Sequence, residues 1–308
     1  MPCLPLIPAR SHHAVNTGHR GYRGKYAENS IHGFNEAVKD GAKAIEMDIQ
    51  VSKDDVVVVS HDENTERCFN KAYDITHTDF NGVLDQLTMK EAPHEKMPTF
   101  VDVAKLFTTK EYDGIVLMVD IKRTNHTSVV EKVVRDLKTI NPDLDFWAAR
   151  VTLGIWKAEF LEPCKLHAPQ FDLTHIGISQ GYVSEFLKSD QVKAISLCHL
   201  SYTAAGGDAV LRQIKEAGKL VYSWTINEEY IMNWAIAADI DGVITDYVSK
   251  YAEVQAKPIE TFNVDNPMSY FSWSDWISVT PKYLALNAAF AVDWRRENAK
   301  IMSNFKSL

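Results

Sequence analysis

Nine short runs rich in β-branched residues alternate with amphipathic stretches between residues 14 and 256, and this alternation limits the fold more than any other feature. The runs are AVNTG, KAIEMDI, VVVVS, IVLMVDI, RVTLGI, THIGIS, VKAISL, KLVYSWTI and DGVITD. Helical apolar spacing marks SIHGFNEAVKDG, HTSVVEKVVRDLKTI, GGDAVLRQIKEAGK and NEEYIMNWAIAADI between them. Ser30 has the chemistry of an N-cap, and Gly41 that of a helix stop. Continuous apolar strands separated by helices form a parallel sheet covered on both faces. If VVVVS pairs locally with KAIEMDI as an extra hairpin, eight strands remain, the number that closes a (β/α)8 barrel. An open doubly wound sheet is the alternative, but no G-x-G-x-x-G follows the first strand to support a dinucleotide site. The predicted fold is therefore α/β, a TIM barrel over residues 12–256 with a small insertion after the second strand and a C-terminal tail over 257–308. Residues 62–100, irregular and broken by Asn81-Gly82, Pro93 and Pro98, read as the insertion over one barrel end.

Charge and cysteine usage narrow the partners. Lys and Arg number 33 against 41 Asp and Glu, a net charge of −8 that argues against wholesale nucleic-acid binding, since neutralising phosphates needs a basic face. Cys3, Cys68, Cys164 and Cys198 show no C-x-x-C spacing and read as free thiols in a reducing compartment. The MPCLPLIPAR start is a poor signal peptide. A cytoplasmic protein that is not secreted is expected. The late apolar run Tyr283 to Trp294 is interrupted by Asn287 and Asp293 and is too short to span a bilayer.

A barrel of this kind carries its chemistry at the C-terminal ends of its strands. Those ends read Gly18-His19-Arg20-Gly21, Glu46-Met47-Asp48, Ser60-His61-Asp62, Asp120-Ile121-Lys122, Trp224-Thr225-Ile226-Asn227 and Thr245-Asp246. Glu46 and Asp48, two apart on a strand, face the same way. Inward carboxylates are costly without a cation or a basic partner. With Asp120 they form a hard-oxygen set suited to Mg²⁺ or Ca²⁺, or else one half of an Asp/Glu–Lys/Arg network. His19 and His61 can divide proton donation and acceptance, since imidazoles titrate near neutrality. The other nine histidines have no such context and are expected on surfaces. Arg20 offers a planar fork to a phosphodiester, or a salt bridge to Glu28. Trp224 either walls an apolar substrate group or caps the core.

The block GHRG…AENSIHGFNEAVKDGAKAIEMDIQVSKDDVVVVSHD, followed by MPTF, VDIK, YSWTIN and DGVITD, resembles the glycerophosphodiester phosphodiesterase family over residues 14–256. The resemblance implies His19 and His61 as an acid/base pair, Arg20 as a phosphate ligand, Glu46, Asp48 and Asp120 as metal ligands, and Lys122 near the phosphate. LMVDIK and FWAARVTLGIW look most like the fungal phosphatidylglycerol phospholipase C branch, although Asp120 stands where many members have Glu, and Val248 where they have Pro. Some relatives in that branch carry a membrane-spanning tail, which this tail does not resemble. The implied reaction closes a cyclic phosphate from a neighbouring hydroxyl and then opens it with water. The substrate is phosphatidylglycerol, cleaved to diacylglycerol and glycerol 3-phosphate, or alternatively a deacylated glycerophosphodiester. A sphingomyelinase-D-like phospholipase and a non-catalytic binding barrel are the remaining readings. Residues 268–294, rich in Trp, Tyr and Phe, either touch a membrane peripherally or brace the barrel from beneath.

Overall fold

The computed structural model describes residues 14–305, without the side chains of Trp276 and residues 292–305. Residues 12 and 13, Cys3 and the end of the tail lie outside the described residues, as do the side chains of Trp276, Trp294, Arg295 and Arg296.

The strands are β1 Val15–Gly18, β2 Ala44–Val51, β3 Val57–Val59, β4 Val116–Ile121, β5 Val151–Ile155, β6 Leu173–Gly177, β7 Val192–Cys198, β8 Leu220–Trp224 and β9 Gly242–Thr245. Eight of them pair in parallel, and β1 bonds to both β2 and β9, which closes the barrel. The ninth, β3, runs antiparallel on the end of β2, with Ile49 opposite Val59. The expected hairpin and the (β/α)8 barrel are thus both present. Strand THIGIS ends early, at Gly177, and the chain turns away before Ser179.

Each strand alternates between two environments. Met118, Ala194, Tyr222 and Ile244 pack together inside the barrel. Ile45, Met47, Leu117, Val119, Leu153 and Ile195 join the larger core beneath the helices. The Ile31–Lys39 helix starts as its sequence predicts, with Ser30 Oγ accepting from the Gly33 N–H at 2.9 Å. Gly41 follows it at φ 101°, a left-handed position that suits glycine. The insertion has its own small core, where Phe69, Ile75, Leu84, Leu87, Met89 and Met97 cluster on Val58 of β3.

The tail ends in one long helix, Trp273–Phe305. It does not brace the barrel from beneath. Val279, Tyr283, Leu286 and Phe290, spaced as one helical stripe, cover Ile178, Cys198, Leu200 and Trp224 at the strand C-termini. The residues it covers are apolar, so the stripe has a matching surface at the mouth. Among the described residues, one of the other histidines, His175, is buried and not on the surface. His175 is buried beneath the ring of Phe186 (3.6 Å between centroids), because it is an outward residue of β6 covered by a helix. His199 opens the short helix after β7, and burial pushes its imidazole down to about 4.

Candidate active site

Register builds the site. In the parallel β2–β4 pair Asp48 lies directly beside Asp120, and Glu46 beside Met118. All three carboxylates therefore point into the barrel, buried, with one oxygen from each within 4.8 Å of the others. Two cations answer them. Lys122 Nζ lies 2.6 Å from both Asp48 Oδ1 and Asp120 Oδ2, and Arg20 Nε lies 3.3 Å from Asp48 Oδ2. Three negative charges against two positive ones leave the cluster one charge short. Burial, with Asp48 and Asp120 as like-charged neighbours, raises the Glu46 carboxyl well above the usual range. Burial likewise raises Asp120. Burial works the same way on Asp48, but Lys122 and Arg20 outweigh it and hold that carboxyl low.

This donor set fits a hard divalent cation: three buried carboxylate oxygens, one of them protonation-prone, and a deficit of positive charge. Asn29 supports it from outside the strand. Its amide donates to Asp48 Oδ2 at 2.8 Å, and its carbonyl accepts from the Asp48 N–H at 3.2 Å.

The GHRG turn after β1 sets the next two groups. Arg20 and Gly21 both have positive φ, 49° and 83°, a left-handed conformation that glycine enters freely and arginine does not. That turn aims the Arg20 N–H at Glu46 Oε2, 2.8 Å away. It also lays the guanidinium against Glu28 at 3.0 Å, so the salt bridge weighed from sequence is present. Arg20 lines the cavity as well.

His19 and His61 come from opposite ends of the sequence block and face one cavity of about 180 Å³. Each imidazole has its Nδ1 on a carboxylate. His19 Nδ1 is 2.6 Å from Asp246 Oδ1, and His61 Nδ1 is 2.7 Å from Asp62 Oδ1. Those carboxylates are held in turn, Asp246 by the Asn227 amide at 2.7 Å and Asp62 by Arg67 at 2.7 Å. With Nδ1–H committed to a carboxylate, Nε2 is the nitrogen left for chemistry. Burial lowers the pKa of His19; burial and then Lys122 lower that of His61.

The cavity has a second, apolar half made by Trp156, Ile176, Trp224 and Ile244. Trp224 thus walls the cavity while its N–H is spent on the Ser196 carbonyl at 3.1 Å. Every candidate residue from the sequence meets at this mouth. Asp246, Asn29 and Trp156 join it and were not singled out. Asp246 ended a strand run and Asn29 lay in the quoted block, so both had a signal. Trp156 closed the quoted FWAARVTLGIW run and stood one residue past a strand.

The model of the glycerophosphoryl diester phosphodiesterase family matches residues 19–250. The chain belongs to that family. As a glycerophosphodiester phosphodiesterase it is a phosphoric diester hydrolase, which answers the non-catalytic reading. Among its relatives is the glycerophosphodiester phosphodiesterase of Caldanaerobacter subterraneus, 25% identical over 248 residues, covering 74% of this chain and 92% of that protein. Human lysophospholipase D GDPD1 is 26% identical over 274 residues, covering 75% and 83%. Two solved family structures share the fold. The glycerophosphodiester phosphodiesterase from Thermotoga maritima has a TM-score of 0.61 at 23% identity and covers 80% of this chain and 100% of that one. An Oleispira antarctica phosphodiesterase in complex with sn-glycerol-3-phosphate has a TM-score of 0.65 at 20% identity, covering 78% and 96%. Among the described residues, no helix of this glycerophosphodiester phosphodiesterase is long and apolar enough to cross a membrane.

Proposed function

We propose that the protein hydrolyses deacylated glycerophosphodiesters to glycerol 3-phosphate and a free alcohol. One observation carries the reading: two carboxylate-anchored imidazoles share a cavity with Arg20, Lys122 and the three-carboxylate cluster. The product found in the Oleispira antarctica enzyme supports the same cleavage. Glu46, Asp48 and Asp120 would hold Mg²⁺ or Ca²⁺, which when bound supplies positive charge where the phosphoryl oxygens gain negative charge. Nε2 of one histidine takes the proton of the hydroxyl beside the esterified carbon, and the freed oxygen attacks phosphorus to close a cyclic phosphate. The other histidine, in its imidazolium form with a proton on each ring nitrogen, gives its Nε2 proton to the departing oxygen, and the roles reverse as water opens the ring. Arg20 and Lys122 hold the phosphate, and Trp224 with Trp156 walls the leaving group.

A second reading, phosphatidylglycerol cleaved in the manner of the fungal phospholipase C branch, draws on the tail helix. Its outer face shows Trp273, Ile277 and Leu284 to solvent, 84%, 70% and 58% exposed, which suits reversible contact with a lipid surface. The deciding experiment incubates purified protein with glycerophosphocholine and with phosphatidylglycerol vesicles, with and without EDTA, and identifies the products. The expected result is glycerol 3-phosphate from glycerophosphocholine, lost in EDTA and restored by Mg²⁺ or Ca²⁺. Full activity after verified metal removal contradicts the cation site, and release of phosphocholine contradicts the cleavage.

A further inference from the structure

We infer that Trp156 is a positioning residue for the metal ligand Asp120, and that the C-terminal helix locks Trp156 in place through Phe290. The inference rests on the metal site proposed above. Trp156 lies one residue past β5, whose Gly154 is beside Asp120 in the sheet, so the indole rises directly over that carboxylate. Its Nε1–H donates to Asp120 Oδ1 at 2.7 Å, while Lys122 takes Oδ2 at 2.6 Å. The two donors fix the plane of the carboxylate between them. An indole N–H is a neutral donor that cannot accept. It therefore orients Oδ1 without competing for the charge that a cation needs. Outer bonds of this kind set the geometry of metal ligands and are worth about 10- to 100-fold in affinity.

The ring is held on several sides. Lys122 Nζ sits 5.6 Å from its centroid, Trp224 meets it edge-on at 5.7 Å, and Phe290 stacks on it at 5.9 Å with 28° between the planes. Phe290 belongs to the tail helix, which is itself fixed at two points. Tyr283 Oη accepts from the Gln180 N–H, and Thr280 Oγ1 accepts from the Ala205 N–H, both at 3.2 Å. A segment outside the eight barrel strands therefore reaches a metal ligand through one aromatic contact and one hydrogen bond.

The test is calorimetric titration of the full-length protein with Ca²⁺ and with Mg²⁺, alongside thermal unfolding. Trp156→Phe keeps a ring and removes the N–H, and should raise the metal Kd about tenfold or more with little change in Tm. Phe290→Ala should raise Kd by a smaller factor in the native chain and add nothing in the Trp156→Phe background. If Trp156→Phe binds cation as the native protein does, Trp156 does not position Asp120. If Phe290→Ala weakens binding equally in both backgrounds, the helix does not act through Trp156. Should Trp156→Phe fail to fold, Phe290→Ala decides, and an unchanged Kd there overturns the inference. A native protein that binds neither cation fails earlier, at the metal site itself, and that result is distinguishable from the others.

Discussion

At the scale of single residues, the site is a set of charges arranged so that two imidazoles are each anchored through Nδ1 to a carboxylate and three further carboxylates stay together. If His19 and His61 share the proton transfers, His19→Ala and His61→Ala should each lower kcat by ~10²–10⁴ with Tm almost unchanged. A variant that turns over normally, or that chiefly unfolds, has been given the wrong role. Glu28 does a different job. Burial raises its carboxyl, but Arg67 and Arg20 outweigh this and hold it at about 2, against 4.5 unfolded. A folded-state pKa below the unfolded one stabilises the protein above about pH 4.5, and the gain is lost as pH falls toward 2. Unfolding free energies from urea titration should therefore drop more between pH 5 and pH 3 for the native chain than for Glu28→Gln, by up to about 2 kcal/mol. Parallel pH dependences would show that the Arg20–Glu28–Arg67 cluster stores no such energy. Most site residues were legible as polar groups in or just after apolar runs: His19, Arg20, His61 and Lys122 follow strands, while Glu46, Asp48 and Asp120 interrupt them. Their pairings were not. Asp246 reaches His19 across 227 positions, and no local pattern ties an aspartate to a histidine that far away.

At the scale of elements, strands were legible where both faces are buried, since a continuous apolar run leaves no other environment. The helices Phe100–Leu106, Leu161–His167 and Val248–Gln255 were harder to see, being only seven or eight residues long with little room for a period. The tail helix shows the limit most plainly. Its composition marked it as different, but its inner stripe has meaning only against the barrel mouth it covers. Its outer face is separable from that role. Replacing Trp273, Ile277 and Leu284 by Ser touches no buried contact of the stripe. If the tail docks on lipid, this variant should lose cosedimentation with phosphatidylglycerol vesicles and cleavage of that lipid, yet hydrolyse glycerophosphocholine normally. Unchanged vesicle binding removes the docking reading.

At the scale of the whole molecule, the closed barrel explains how residues from both ends of the chain share one cavity: β1 pairs with β9, which brings His19 beside Asp246. The parallel pairing of β2 with β4 sets the carboxylates in register. The barrel was legible from its alternation; the hairpin β3, which carries the chain toward His61, was legible as the ninth run that the count of eight could not use. What the molecule does with this cavity depends on a hydroxyl next to the esterified carbon. The most direct measurement follows, by ³¹P NMR, the hydrolysis of glycerophosphocholine and of its analogue lacking the 2-hydroxyl. The two-histidine route predicts that glycerophosphocholine gives a transient cyclic phosphate and then glycerol 3-phosphate, while the analogue stays intact. Cleavage of the analogue at a comparable rate would contradict it.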